Sequence, residues 1–216
     1  MTDHVADMRQ DYRQGALDEA TCPAEPLALF EQWFGAARQC PEVSEANAMT
    51  LATVDTSGWP QARVVLLKAY DAGGFVFYTN YNSRKGRALD ATMRAALVFW
   101  WPALESQVRV EGHVERVAPE VADAYFASRP RGSRLGAWAS PQSEVIEDRS
   151  VLEGNLQDVT QKFEGQEVDR PEHWGGYRVV PERVEFWQGR TNRLHDRLVY
   201  HRLEGDGGWK VERLAP

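Results

Sequence analysis

Cysteine is scarce. The chain of 216 residues has 2, Cys22 and Cys40, neither in a CxxC pair nor at metal-ligand spacing. That excludes a disulfide framework or a zinc cluster as the organising device, and it predicts reduced thiols in a cytoplasmic protein. Positive charge is also in deficit. Against 32 Asp and Glu stand 25 Lys and Arg, a net charge of −7, so neither nucleic acid nor an anionic membrane is an expected partner. Long hydrophobic runs are missing. The longest, Ala95 to Trp101 and on to Leu104, is far too short to span a bilayer, and the N-terminus has no signal-peptide core. The 5 histidines (His4, His113, His173, His195, His201) do not cluster at ligand spacing, so no metal is expected. There is no GxSxG, HExxH, P-loop or strand-bounded GxGxxG. With no protein nucleophile or metal in view, a bound organic cofactor is expected to carry any reaction.

What the chain does have is a core and an aromatic excess: 43% hydrophobic residues and 8 tryptophans. Residues 1–24 are polar and without period, and read as an arm that is flexible or draped on the domain. Residues 25–216 read as a single domain. Pro26 opens an amphipathic helix with Leu27, Phe30, Trp33, Phe34 and Ala37 at helical spacing. Strands are expected over Ala48–Val54, Arg63–Lys68, Phe75–Thr79, Arg94–Trp101, Gln107–Val117, Gly176–Val180, Arg183–Trp187, Arg197–Leu203 and Trp209–Leu214. Asp71-Ala72-Gly73-Gly74 would turn the second of these into the third. Arg131–Ser143 reads as a long loop rich in glycine, serine and arginine, and Glu144–Phe163 as a helix with many acids. Strands joined by short turns, with helices between, predict a mainly β, antiparallel fold with peripheral helices, closed as a barrel.

Three clusters could carry chemistry. Arg63, Lys68, Arg84 and Lys85 surround the expected hairpin and a serine-led helix start, where free N–H groups suit an anion. The competing reading is a solvated basic strand edge. Tyr125, Arg129 and Ser133 combine an arginine with hydroxyls suited to a phosphate, against the plainer role of capping a helix. In the third, Arg193, His195 and Arg197 share a face if residues 193–197 are extended. They are then either an anion site or partners of carboxylates, and neighbouring cations favour the neutral imidazole.

Together, RVVLLK, FYTNYNSRKG, QVRVEG, SRPRGS, Gln142-Ser143 and the C-terminal WGGYRV…ERVEFWQG…NRLHDR…WKVERLAP resemble the pyridoxamine 5′-phosphate oxidase family. The match runs from about residue 25 to the end, with a weaker echo at Arg9 to Tyr12. The resemblance implies an FMN-binding split β-barrel and a homodimer with the flavin where the subunits meet. It also implies oxidation of pyridoxine or pyridoxamine 5′-phosphate by dioxygen. By motif position, FMN would be held by Arg63, Val64, Val65, Leu66, Leu67, Lys68, Tyr78, Thr79, Arg84, Lys85, Gln107, Gln142, Ser143, Trp187 and Arg197. Substrate would meet Lys68, Tyr125, Arg129 and Ser133 at its phosphate, and Arg193 and His195 at its ring. These last two would be the catalytic residues. Arg9 and Tyr12 fall in a segment that closes over the substrate. The chain departs from many relatives at Ser106, where they carry arginine, and in the bulk of Trp100-Trp101. Two alternatives remain: a split-barrel reductase of another substrate, and a non-catalytic carrier of FMN or pyridoxal phosphate.

Overall fold

The structure, a computed structural model, describes residues 11–205 and 208–216. Five α-helices and nine strands occur among them: α1 (Pro26–Gln39), β1 (Ala48–Val54), β2 (Pro60–Leu66), β3 (Ala69–Asp71), β4 (Gly74–Asn80), α2 (Arg84–Thr92), β5 (Arg94–Trp101), β6 (Ser106–Arg116), α3 (Pro119–Ser128), α4 (Arg131–Ala139), α5 (Arg149–Lys162), β7 (Trp174–Gln188), β8 (Asp196–Arg202) and β9 (Trp209–Arg213). The sheet order is β2-β1-β5-β6-β7-β4-β3, with β8 on β7 and β9 on β8. The sheet is mainly antiparallel with peripheral helices, as the strand spacing predicts, and the split barrel is the form that the resemblance implies. No helix among the described residues is long and apolar enough to cross a membrane.

The chain divides into two compact units. The first comprises Met1–Thr50, Ala96–Glu111 and Pro181–Pro216. Here Pro26 starts α1, as its fixed φ and missing N–H allow. The helix buries Leu29, Phe30, Phe34 and Ala37. Phe30 packs on Phe34, Phe99 and Trp101, with ring centroids 5.1–6.4 Å apart. The Trp101 indole N–H finds the Ala46 carbonyl at 3.0 Å, so the buried ring leaves no polar atom unpaired. Residues 11–24 run against this unit. The N–H groups of Arg13 and Gln14 donate to Glu105, that of Leu17 donates to Asp196, and the Tyr200 hydroxyl donates to the Pro23 carbonyl.

The second unit comprises Leu51–Ala95 and Gly112–Val180. Its α2 begins at Ser83, whose hydroxyl accepts from the Gly86 N–H at 3.2 Å and donates to the Asn80 carbonyl at 2.7 Å. The helix is pinned from its other end. Asp90 accepts from the Tyr177 hydroxyl at 2.7 Å and from Arg116 at 2.6 Å, while Arg116 lies 4.0 Å over the Tyr81 ring. A second cluster, Phe126, Leu135, Phe163, Val168 and Trp174, packs under α3, α4 and α5.

Four expectations need correction. The run Arg63–Lys68 is not one strand of a hairpin. β2 ends at Leu66 and neighbours β1, while the hairpin is β3–β4, in register from Ala69↔Val76 to Asp71↔Gly74. Of the expected loop Arg131–Ser143 only residues 140–143 are irregular: Arg131–Ala139 forms α4, which buries Leu135 and Ala139, one turn apart on the same face. The acidic helix begins at Arg149, capped by Asp148, and not at Glu144. The two strands expected at Gly176–Val180 and Arg183–Trp187 are a single strand, β7. Its first part pairs with β4 and its last with β8, and Pro181, which has no N–H to give, sits between the two registers.

Candidate active site

In the second unit, β2 and the start of α2 assemble cations. Arg63 donates to the Leu51 carbonyl at 3.1 Å, to the Thr53 hydroxyl at 2.8 Å and to Gln61 at 3.1 Å, which fixes its guanidinium. The Lys85 ammonium sits 2.9 Å from Gln142 Oε1 and 3.3 Å from the Thr79 hydroxyl. Burial, then the charge of Arg63, pushes the Lys85 pKa down. Burial, then Arg84, does the same to Arg63. Arg84 and Lys85 thus each repel Arg63, while Asp55 lies 3.2 Å from Arg84. Hydrogen bonds from the Ser57 hydroxyl and the Trp59 N–H, with smaller help from Arg84, hold Asp55 well below the usual carboxylate range. Such a cluster fits a phosphate dianion, which would relieve the repulsion. Of the remaining residues expected here, Val64 is exposed, Val65 and Leu66 are half-buried, and Leu67 is buried. Lys68 is exposed, while its N–H is bonded to the Val76 carbonyl at 2.8 Å. Gln142 and Ser143 lie on an exposed turn, with Ser143 at φ 75°. Gln142 also lines a cavity of about 320 Å³ with Asn80, Trp138 and His173.

A few residues away lies an aromatic shelf. Tyr78 and Tyr125 stack at 3.9 Å, and Trp174 stacks on Tyr78 at 5.4 Å. The Arg129 guanidinium lies 4.6 Å over the Trp174 ring. Its Nη1 is buried with no hydrogen-bond partner among the described residues, and burial lowers the Arg129 pKa. An arginine that only capped its helix would have used that donor, so the shelf presents an unspent cation suited to an anion. Ser133 lies exposed in the first turn of α4.

In the first unit, β7 and β8 place Trp187 opposite Arg197. The Trp187 ring is 4.6 Å from His195, and Tyr12 leans on both at 5.8 and 5.9 Å. Gly189 permits that approach, because a Cβ there would meet the Tyr12 ring at 2.7 Å. The condition that residues 193–197 be extended is met only at Asp196 and Arg197, where β8 begins. A tight turn over Thr191–Arg193 carries Asn192 at φ 57° and Arg193 at φ 60°, so Arg193 and His195 do not share a strand face. The exposed Arg193 still acts on His195. Burial first, then the Arg193 charge, lowers the imidazole pKa. The Arg190 backbone N–H donates to His195 Nδ1 at 3.1 Å, so the neutral ring carries its proton on Nε2. Gln107 is half-buried on β6, and Arg9 lies outside the described residues. Sequence reasoning missed Asp55, Trp174 and Glu185. The last is a buried carboxylate that accepts from Arg197 Nε at 2.9 Å, and its signal was the alternation of Arg183, Glu185 and Trp187.

The family model for pyridoxamine 5′-phosphate oxidase matches residues 36–163, and that for the pyridoxine 5′-phosphate oxidase C-terminal dimerisation region matches residues 174–216. The chain belongs to the pyridoxamine 5′-phosphate oxidase family. It is accordingly an oxidoreductase, as the sequence resemblance implies. Pyridoxine/pyridoxamine 5′-phosphate oxidases of Pseudomonas fluorescens (strain SBW25) and Pseudomonas paraeruginosa (strain PA7) are 59% and 55% identical, each over the whole of both chains. The crystal structure of PhzG from Burkholderia lata, in complex with tetrahydrophenazine-1-carboxylic acid, is 30% identical. It covers 93% of this chain and 98% of its own, with a TM-score of 0.83. An FMN-binding protein of Nostoc punctiforme shares the family's fold at 18% identity and a TM-score of 0.70, covering 91% of this chain and all of its own.

Proposed function

We propose that the chain is an FMN-dependent oxidase acting on pyridoxamine 5′-phosphate and pyridoxine 5′-phosphate. The products are pyridoxal 5′-phosphate and hydrogen peroxide, with ammonia from the amine. The carrying observation is the buried Arg129 Nη1, without a hydrogen-bond partner among the described residues, on its aromatic shelf, a ready seat for the phosphate of a flat ring substrate. Bound FMN would supply the acceptor for the substrate's hydride and the route of its electrons to dioxygen. Arg63, Arg84 and Lys85 hold the cofactor's phosphate, with Thr79 and Gln142 fixing the Lys85 ammonium. Trp187, Gln107, Ser143, Tyr78, Arg197 and the 64–68 segment complete its binding. Arg129, with Tyr125, Ser133 and Lys68, anchors the substrate phosphate. A remote anchor of this kind supplies orientation, which lowers a barrier by several kcal/mol. His195, neutral and protonated on Nε2, donates a hydrogen bond to the substrate ring, and Arg193 stabilises charge that develops as the hydride leaves. Arg9 and Tyr12 serve the segment that covers the bound substrate.

The C-terminal match supports a homodimer, and in the proposed reading the flavin sits where the two chains meet. The working compartment is the cytoplasm. The test is a product assay with both phosphorylated substrates under air, following pyridoxal phosphate by absorbance and peroxide by a coupled peroxidase. The expected result is equimolar formation of the two. Failure of either substrate to bleach the flavin under nitrogen would overturn the reading. The likeness to PhzG favours one second reading, a split-barrel flavoenzyme acting on another reduced heteroaromatic ring, which would leave both substrates untouched.

A further inference from the structure

We infer that Glu185 is the positioning residue for Arg197: its buried carboxylate sets the attitude in which that guanidinium meets the flavin. The inference rests on the proposed reading that Arg197 binds the cofactor. Glu185 is only 1% exposed, and it is engaged on both oxygens. Oε1 accepts from Arg197 Nε at 2.9 Å, with Arg197 Nη2 also 2.9 Å away. Oε2 accepts from Arg183 at 2.8 Å and lies 3.5 Å from Arg109. Arg183 and Arg109 turn in addition to Glu111, at 2.8 and 3.4 Å. Arg197 is held on a second side by the Ala215 carbonyl, 2.9 Å from Nη1. Strand pairing brings this about. Glu185 faces Val199 and Trp187 faces Arg197, so Glu185, Trp187 and Arg197 share one sheet face, with the carboxylate diagonal to the arginine.

Stability alone is a poor account of this carboxylate. Burial would raise its pKa, and hydrogen bonds from Arg183 and Arg197 outweigh that and hold it ionised. A buried ion pair of this kind is commonly no more stabilising than apolar residues of the same volume, because desolvation cancels the attraction. What it fixes is direction. The contacts to Glu185 and Ala215 leave the guanidinium's other N–H groups for a ligand. Three guanidiniums stand against two carboxylates in this network, so positive charge is left over at the end where Arg197 sits.

The test is a double-mutant cycle read by flavin affinity, titrating apoprotein with FMN and following the quenching of flavin fluorescence. Arg197→Met and Glu185→Gln are each expected to weaken FMN binding by about tenfold, the scale of one charge-assisted contact. The double variant should bind no more weakly than Arg197→Met alone, since Glu185 acts through that side chain. Arg183→Met, which touches the other carboxylate oxygen, serves as the control. It is expected to lower the apoprotein melting temperature while leaving affinity within about twofold, below the scale of one such contact. Glu185→Asp keeps the charge but shortens the reach, and should show a partial loss if the glutamine variant does not fold. Additive losses, or wild-type affinity in either Glu185 variant beside a weakened Arg197→Met, would remove Glu185 from this role and leave the flavin reading intact. Wild-type affinity in Arg197→Met would overturn both.

Discussion

Replacing Lys85 with methionine separates binding from folding, because the two should move in opposite directions. In the free protein Lys85 is a half-buried ammonium at the N-terminal end of α2, repelled by Arg63. A cation at that end of a helix is unfavourable by about 0.3–1 kcal/mol. Methionine keeps the length of the side chain and removes the charge. Its arrival orphans nothing, since the Thr79 hydroxyl and Gln142 Oε1 lie 3.2 Å apart and satisfy each other. The apoprotein should therefore be as stable as the wild type or more so, by up to about 1 kcal/mol. At this chain length that is an upward shift of roughly 2–4 °C in melting temperature. Binding should suffer, because a hydrogen bond from an ionised donor to a phosphate is worth about 1.5–3 kcal/mol. The FMN dissociation constant should rise about 10–150-fold. Thermal melting of the apoprotein and a fluorescence titration with FMN measure the two quantities on one preparation. Wild-type flavin affinity, or an apoprotein destabilised by more than about 1 kcal/mol, would refute the cation-cluster argument.

Three further outcomes follow from the geometry. Arg193→Leu should leave flavin bound and lower turnover at least about tenfold, or 1.4 kcal/mol; unchanged steady-state kinetics would take Arg193 out of the mechanism. The His195 pKa lies below the 6.5 of a free imidazole, so the unfolded chain binds its proton first as pH falls. Its contribution to stability is therefore complete above pH 6.5 and declines through the window below, where protonation also breaks the bond from the Arg190 N–H. Proton NMR of the imidazole should give a value under 6.5, and one at or above it contradicts the assignment. Gly86→Ala would press a Cβ to 2.6 Å from the Tyr81 carbonyl carbon and 2.8 Å from the Asn80 carbonyl oxygen. Overpacking of this kind costs about 1–3 kcal/mol, visible in urea denaturation, and displaces the start of α2, so FMN affinity should fall as well.

The sequence pattern was a good guide wherever one face of an element met the core. Ala48–Val54 and Arg94–Trp101 alternate buried residues with half-buried or exposed ones and form strands over those same spans. Pro26 marked the start of α1 for a reason that is purely local. Long-range choices were hidden. Nothing in RVVLLKAYD says that the chain leaves one strand partner at Leu66 and finds another at Ala69. The α4 segment misled through its composition: two glycines, a serine and two arginines outweighed the spacing of Leu135 and Ala139, which was the correct signal. The turn at Asn192 and Arg193 could not be anticipated either, since an arginine rarely takes positive φ without a surrounding structure to hold it. The candidate site was legible as residue types in three clusters. Its counter-ions were not, because Asp55 and Glu185 acquire their roles from partners 29 and 12 residues away.

The donor that fixes the His195 ring is a main-chain N–H, and this makes the proton's location on the imidazole a property of the chain's path. Side-chain replacements at position 190 would lose the contact to the Gly15 carbonyl yet keep the ring in the same tautomer. Proline alone lacks the donor. A survey of variants at this position would therefore see a tolerant site with one forbidden residue, and would miss that proline is excluded because it removes the donor that sets the tautomer of His195.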